Sequence, residues 1–457
     1  MSHTYRVQNP VTDTVVETFD FDSDDDIRAA VERAAAAYRD WSSRPLAERS
    51  ARARRFADLL EEHKDELARD AALEMGKPLP ELIEEAEFSA EIIRYYADHG
   101  AEFTADQPIP SENGEALIRH LPLGPLVGIM PWNFPFYQVA RFAGPNLVLG
   151  NTILLKHAEI CPRSARSIER LALEAGFPEG VYQALFATHD QVARVIADPR
   201  VRGVSLTGSE RAGAQVAAQA GRHLKKVVLE LGGTDPYIVL DTPDVAQAAR
   251  LAWDTRMVNT GQACNSNKRI FVMEDIYEAF VDELVELAAK MQPTTPEKWE
   301  PGTYCPLSSR EAAEKLRGQL DDAVAQGANL CIGGELADQG AYIKPAVITD
   351  IPRGSDAWYE EFFGPVAEVY KVTSAEDAIA QANDSRHGLG GAVFSQDEKL
   401  AKAVAARLEV GMANVNTPAG EEAGLPFGGV KNSGFGRELG PLAIEEFANK
   451  QLYYLER

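Results

Sequence analysis

Gly203-Val204-Ser205-Leu206-Thr207-Gly208-Ser209-Glu210-Arg211-Ala212-Gly213 reads as a short apolar strand, a glycine-bearing turn and the start of a helix. Working outward, the rhythm repeats in the apolar runs Ile153–Leu155, Val181–Phe186 and Val227–Leu229, with helical stretches near 162–175, 189–197 and 210–220. Strands that alternate with helices of this length predict a parallel, doubly wound sheet. A second alternating set follows. Its strands are expected near Ile270–Val272, Ala346–Ile348, Val366–Tyr370 and Gly391–Phe394, and its helices near 276–291, 309–326 and 375–383. The fold class is α/β, in two units.

The flanks differ. Ser23-Asp24-Asp25-Asp26 carries the serine and the carboxylate of a helix N-cap, and Ile27–Trp41 continues the helix. Leu46–Met75 and Pro80–Gly100 keep apolar residues at three- and four-residue spacing. Between Gln107 and Gly124 proline and glycine become dense around the alternating Ala116-Leu117-Ile118-Arg119-His120, which predicts an extended arm. The tail Gln451-Leu452-Tyr453-Tyr454-Leu455 alternates as well and is apolar enough to add a strand to a neighbouring sheet.

A chain of 457 residues exceeds one hydrophobic core, and 45% hydrophobic residues can fill two or three. Seventy acidic against 46 basic residues leave a net charge of -24, which repels nucleic-acid phosphates and anionic membranes. Cys161, Cys264, Cys305 and Cys331 lack the spacing of metal ligands or of a disulfide framework, so no metal and a reducing compartment are expected. With no long apolar run and no apolar segment in Met1–Pro10, the expected location is cytoplasmic.

Several polar or glycine-bearing segments follow directly after predicted strands, where open parallel sheets bind ligands. The glycine of Thr207-Gly208-Ser209 allows backbone amides at a helix N-terminus to approach a pyrophosphate; an ordinary βα turn is the alternative. Lys156 and Glu159 suit ribose hydroxyls or, equally, a solvated loop. In Pro131-Trp132-Asn133-Phe134-Pro135 two prolines and two aromatics immobilise Asn133, whose amide can serve as an oxyanion donor or simply build a rigid turn. Three cysteines look like packing residues. Cys264, in Gly261-Gln262-Ala263-Cys264-Asn265-Ser266, has the small and polar neighbours of a nucleophile reached by substrate and held partly as thiolate. Glu230 opens Glu230-Leu231-Gly232-Gly233, whose glycines signal close backbone approach. The eight histidines show no catalytic grouping and are expected to be structural or exposed.

Taken in order, these segments resemble the aldehyde dehydrogenase superfamily over almost the whole chain. The matching motifs are Pro131-Trp132-Asn133-Phe134-Pro135, Lys156-His157-Ala158-Glu159, Leu206-Thr207-Gly208-Ser209, Glu230-Leu231-Gly232-Gly233, Gly261-Gln262-Ala263-Cys264, Glu361-Phe362-Phe363-Gly364-Pro365 and Pro426-Phe427-Gly428-Gly429-Val430-Lys431. Phe136–Phe142 and Leu154–Ala158 look most like the shorter succinate-semialdehyde dehydrogenases. The resemblance implies a Rossmann-type cofactor domain (1–107 and 127–233), an α/β catalytic domain (234–437) and a small β oligomerisation element (108–126 and 438–457), assembled as a homodimer or homotetramer. It implies that Cys264 attacks an aldehyde, that Asn133 holds the oxyanion, and that Glu230 activates the water that releases a carboxylic acid. Met130, Pro131, Trp132, Lys156, Glu159, Gly208, Ser209, Leu231, Gly232, Glu361 and Phe363 fall on cofactor positions, and Arg141 and Tyr137 on substrate positions.

Three departures carry information. Ala187-Thr188-His189-Asp190 replaces a glycine-rich cofactor segment, and Thr234 replaces a lysine after the glycines. Glu159 stands where many short NADP-using relatives have a small residue, and a carboxylate there repels a ribose 2′-phosphate, so of NAD and NADP the first is favoured. Arg141 suits capture of a substrate carboxylate, with a helix-surface arginine as the alternative. Val258 and Gly424 occupy places where some relatives carry a second arginine. Succinate semialdehyde is thus the expected substrate. Another semialdehyde, an uncharged aldehyde and a non-catalytic binding protein are the alternatives.

Overall fold

The computed structural model describes residues 4–456; Met1–His3 and Arg457, the outermost residues of the units expected at either end, lie outside the described residues. Six strands build one sheet in the order Gly434–Phe435, Lys226–Glu230, Gly203–Thr207, Pro125–Met130, Thr152–His157, Tyr182–Ala184. All neighbours are parallel except Gly434–Phe435, which runs antiparallel to Lys226–Glu230. The central strand Pro125–Met130 escaped the sequence reading, because Pro125 and Gly128 disguise it. It is also the topological switch point. The chain leaves it towards Thr152–His157 on one side and meets Gly203–Thr207 on the other, which opens a crevice beyond the carboxyl ends.

The second sheet has seven strands in the order Asn329–Ile332, Ala346–Thr349, Val366–Val372, Arg269–Met273, Pro236–Val239, Gly390–Phe394, Met412–Val415. The edge strand Asn329–Ile332 is antiparallel and slips register across Cys331, so this thiol is half-buried at a bulge instead of packed inside as expected. Cys161 and Cys305 are buried as packing residues. In the third sheet the tail Ala448–Glu456 pairs antiparallel along all of Gly114–Pro122, with Ile118 opposite Leu452, and Leu452, Tyr453, Tyr454 and Leu455 are left exposed. Among the described residues no helix is long and apolar enough to cross a membrane.

Ser23 caps helix Asp24–Trp41 reciprocally with Asp26. The helical run expected from Leu46 to Met75 is two helices, Leu46–Glu62 and Lys64–Met75, which meet at His63. An N-terminal hairpin, Tyr5–Asn9 with Thr14–Phe19, was not expected from its polar composition; it is anchored by Tyr5, fully buried and stacked on Phe186 at 4.5 Å. Helix Leu79–Phe103 packs along helix Tyr137–Leu149 and brings its own side chains to the crevice.

Glu74, at the end of Lys64–Met75, is fully buried and accepts the Arg163 N–H at 2.6 Å and the Ser164 hydroxyl at 2.5 Å, capping helix Pro162–Glu174 from outside. Burial pushes its carboxyl up to about 8. An acid whose folded-state pKa is raised loses stabilisation as pH climbs from the unfolded-state value towards the folded one. Urea unfolding of Glu74→Gln should therefore show a flatter dependence on pH between about 4.5 and 8 than the parent protein. Parallel profiles would contradict it.

Candidate active site

Helix Val245–Met257 ends in a turn in which Asn259, Thr260 and Gly261 have φ of 50, 51 and 76. A left-handed conformation is costly for asparagine and more so for β-branched threonine, so it persists only where contacts enforce it. Gly261 is obligatory: a Cβ there would lie 2.2 Å from the Gly364 carbonyl oxygen. The enforcing groups are polar and buried. Asn259 Nδ2 donates to the carbonyls of Asn133 (2.8 Å) and Gln262 (3.2 Å), and the Asn259 N–H donates to Glu81 (2.8 Å). The fully buried Arg256 donates to the carbonyls of Gly261, Phe362, Gly364 and Val366. Lys268 donates to the carbonyls of Ala263 (2.6 Å) and Cys264 (2.9 Å) and lies 3.2 Å from Glu361.

This scaffold presents Cys264, which is half-buried. Asn133 approaches from the turn after Pro125–Met130, and its Nδ2 donates to the Gln262 carbonyl at 3.0 Å, leaving its second amide hydrogen for another acceptor. Burial works against holding the thiol as thiolate. Burial pushes Cys264 up to about 12; Arg141 and Lys268 pull it down, and Glu230 and Asp235 push it further up.

Glu230 ends strand Lys226–Glu230, and among the described residues its two carboxylate oxygens have no hydrogen-bond partner although the side chain is buried. Gly428 makes room for it, since a Cβ there would lie 2.8 Å from Oε1. Burial, then the neighbouring Glu438, push its carboxyl well above the usual carboxylate range, against the pull of Arg141 and Arg437. An orphaned buried carboxyl with a raised pKa has the environment in which general acid–base groups are found. Gly233 lies against the Cys264 backbone, where a Cβ would stand 2.3 Å from the Cys264 carbonyl oxygen.

Arg141 departs from expectation. It is fully buried, not on a helix surface and not free in a cavity: Nε lies 2.8 Å from Glu438, Nη2 donates to Gln138, and the guanidinium faces the rings of Tyr137 (4.6 Å) and Phe427 (4.3 Å). Burial opposes its charge, but Glu438 and Tyr137 outweigh that and raise its pKa. A substrate carboxylate has to compete with Glu438 for it.

Two cavities meet at Cys264. One, of about 230 Å³, is lined by Phe88, Phe134, Tyr137 and Gln138 together with Glu81, Glu84 and Glu421. The other, of about 600 Å³, is lined by Pro131, Trp132, Asn133, Gly208, Ser209, Leu231, Gly232, Glu361 and Phe363, as well as His387, Glu210 and Arg386. Ser209 caps helix Glu210–Arg222, whose N-terminus opens on this cavity. Glu361 is pinned by the Gly233 N–H at 3.1 Å, and Gly232 is bare where a Cβ would meet Glu361 at 2.7 Å. Trp132 and Phe363 meet edge to face at 5.9 Å. A helix N-terminus, a glycine floor and a fixed carboxylate fit a dinucleotide with its pyrophosphate and ribose.

Met130, Lys156 and Glu159 are not in that wall. Met130 is buried at the end of the central strand, and Lys156 pairs with Glu159 at 3.0 Å beside it. The sequence reading missed Glu438, Lys268, Arg256 and the Glu210–His387 contact at 2.5 Å. His387 is buried against the cavity and pushed down to about 3 by burial. No local pattern announces these residues. For Glu438, for His387 and for most contacts of Arg256 the partners lie far away in the chain.

The description "Aldehyde dehydrogenase family" belongs to the family model that matches residues 1–452. The chain is 50% identical over 450 residues to a succinate-semialdehyde dehydrogenase [NADP(+)] of Deinococcus radiodurans, covering 98% of this chain and 94% of that one. It is 40% identical over 98% of its length to a succinate semialdehyde dehydrogenase [NAD(P)+] of Escherichia coli, 97% of which is covered. The crystal structure of succinic semialdehyde dehydrogenase from Streptococcus pyogenes with NADP+ superposes with a TM-score of 0.96 at 41% identity, over 99% of this chain and 100% of that one.

Because burial disfavours the thiolate, iodoacetamide should alkylate Cys264 more slowly at pH 8 than it alkylates free cysteine, and the rate should keep rising with pH without a plateau below about 11. Peptide mass spectrometry against Cys264→Ser measures it. A plateau near pH 7 would show a thiolate instead.

Proposed function

The chain belongs to the aldehyde dehydrogenase family, and from that premise we propose that it oxidises succinate semialdehyde to succinate with a nicotinamide cofactor, using Cys264 as nucleophile. The observation that carries the reading is the position of Cys264 where the two cavities meet, so that one sulfur faces a substrate-sized space and a dinucleotide-sized one. The substrate is supported by relatives 40–50% identical over nearly full length whose names carry it.

The chain's own groups divide the work. The Cys264 thiol loses its proton to solvent water as sulfur bonds to the carbonyl carbon, and the free amide hydrogen of Asn133 with the Cys264 N–H takes the oxyanion. A bound oxidised nicotinamide supplies the acceptor for the hydride that leaves this carbon. Pro131, Trp132, Gly208, Ser209, Leu231, Gly232, Glu361 and Phe363 hold the dinucleotide, with Met130 and Lys156 buttressing the strand ends. Glu230, once its own proton has passed to solvent, then takes a proton from water, which attacks the thioester carbon, expels the Cys264 sulfur and frees the carboxylic acid. Tyr137 lines the substrate space and Arg141 stands behind it, with Nη1 3.5 Å from the Tyr137 hydroxyl, so a substrate carboxylate reaches the guanidinium only by way of Tyr137.

A second reading, another semialdehyde or an uncharged aldehyde, is favoured by one observation: Glu438 already occupies Arg141. Both cofactors are compatible with the family. We assign the preference to NAD because Glu159 puts a carboxylate at the end of Thr152–His157, against the NADP named for the Deinococcus relative. On this reading 1–107 with 127–233 form the cofactor unit, 234–437 the catalytic unit, and 108–126 with 438–457 an oligomerisation element whose exposed Leu452–Leu455 strand joins copies into a dimer or a pair of dimers.

A steady-state screen of succinate semialdehyde, other semialdehydes and simple aldehydes with NAD and NADP tests the reading. Cys264→Ser should lose reduced-cofactor absorbance, Glu230→Gln should keep a single-turnover burst but lose steady turnover, and Glu159→Ser should raise the NADP/NAD ratio of kcat/KM about tenfold or more. Full activity in Cys264→Ser would remove the nucleophile. Light scattering should report two or four chains, falling towards one in Leu452→Lys/Leu455→Lys; a monomeric parent would dismiss the assembly.

A further inference from the structure

Helix Leu79–Phe103 carries Glu81 and Glu85 one turn apart, so their side chains leave the same face. Each reaches a different half of the oxyanion pocket. Glu81 accepts the N–H of Asn259 at 2.8 Å, at the head of the left-handed turn that leads to Cys264. Glu85 accepts the N–H groups of Phe136 (2.8 Å) and Tyr137 (3.1 Å), which close the turn containing Asn133. Its second oxygen takes the Lys77 ammonium at 2.6 Å, and the same ammonium sits 3.6 Å above the ring of Phe134, the residue after Asn133. Lys77 and Glu85 are both almost wholly buried, so neither can relax towards water.

The geometry points to Glu81 and Glu85 as positioning residues that set the spacing between the Asn133 amide and the Cys264 N–H. One rigid helix is tied to the Cys264 loop through Glu81 and to the Asn133 turn through Glu85, and Asn259 Nδ2 closes the circuit by donating to the Asn133 carbonyl at 2.8 Å. Neither carboxylate acts on the reacting carbonyl. Their effect is on the two donors that must converge on one oxygen, where misplacement of about 1 Å costs on the order of a hundredfold.

The inference rests on Cys264 being the acylated nucleophile, and its test avoids the aldehyde and the cofactor. Hydrolysis of p-nitrophenyl acetate needs the thiol and the oxyanion donors, whereas iodoacetamide alkylation needs only the thiol. Glu81→Leu and Glu85→Leu should each lower acylation by the ester about ten- to a hundredfold while alkylation of Cys264 stays within about twofold of the parent. Glu81→Gln, which keeps an acceptor for the Asn259 N–H, should restore ester turnover, and so should Glu85→Gln combined with Lys77→Met. Ester hydrolysis within twofold of the parent in folded Glu81→Leu overturns the proposal, as does an equal fall of alkylation and acylation. If Glu85→Leu does not fold, the half-buried Glu81 position decides alone. Absent ester hydrolysis in the unsubstituted protein would instead indict Cys264 and the proposed function.

Discussion

Two buried cations hold the catalytic loop together. Arg256 and Lys268 are fully buried and end mainly on backbone carbonyls of the Cys264 loop and of the Phe362–Val366 segment, with Glu361 beside Lys268. A buried carbonyl without a donor costs about 1–3 kcal/mol, so a loop that must turn its amides towards a substrate needs donors for the oxygens pointing the other way. The guanidinium satisfies four buried carbonyls at once, that of Gly261 in the loop and those of Phe362, Gly364 and Val366 in the segment beside it. Left-handed Asn259 and Thr260 persist because this network over-determines them.

The same burial governs the chemistry. Both the Cys264 thiol and the Glu230 carboxyl are pushed up by desolvation, so the uncharged form of each is favoured in the resting site. A neutral thiol is protected from adventitious oxidation and alkylation, and a carboxylate released from hydrogen bonds is a stronger base than one already satisfied. Glu438 links the two ends of the system: it stabilises the charge on Arg141 and, across the site, disfavours the charge on Glu230.

The strands on either side of Gly208 were legible because each is a short apolar run followed by a turn, and observed bounds such as Gly203–Thr207 and Lys226–Glu230 lie within a residue or so of the reading. Pro125–Met130 was not, since its proline and glycine imitate the loop before it. The hairpin at Tyr5 was hidden for a related reason: in its first strand only Tyr5 and Val7 are buried, and two residues make no period. Within the site, the motif residues Asn133, Gly208, Ser209, Gly232, Glu361 and Cys264 do share cavities. Arg141 was readable as a guanidinium but not as an occupied one, because its partner Glu438 lies almost three hundred residues away.

Residue type and local spacing determined the α/β alternation, the glycine turns at the crevice and the identity of the one cysteine with polar neighbours. Those features depend on contacts within a few residues, which a linear reading contains. Tertiary structure alone decided which carboxylate stays unpartnered, which arginine is already neutralised and how far burial displaces each proton. Charge and desolvation act through space, and here they act between segments that the chain itself keeps far apart.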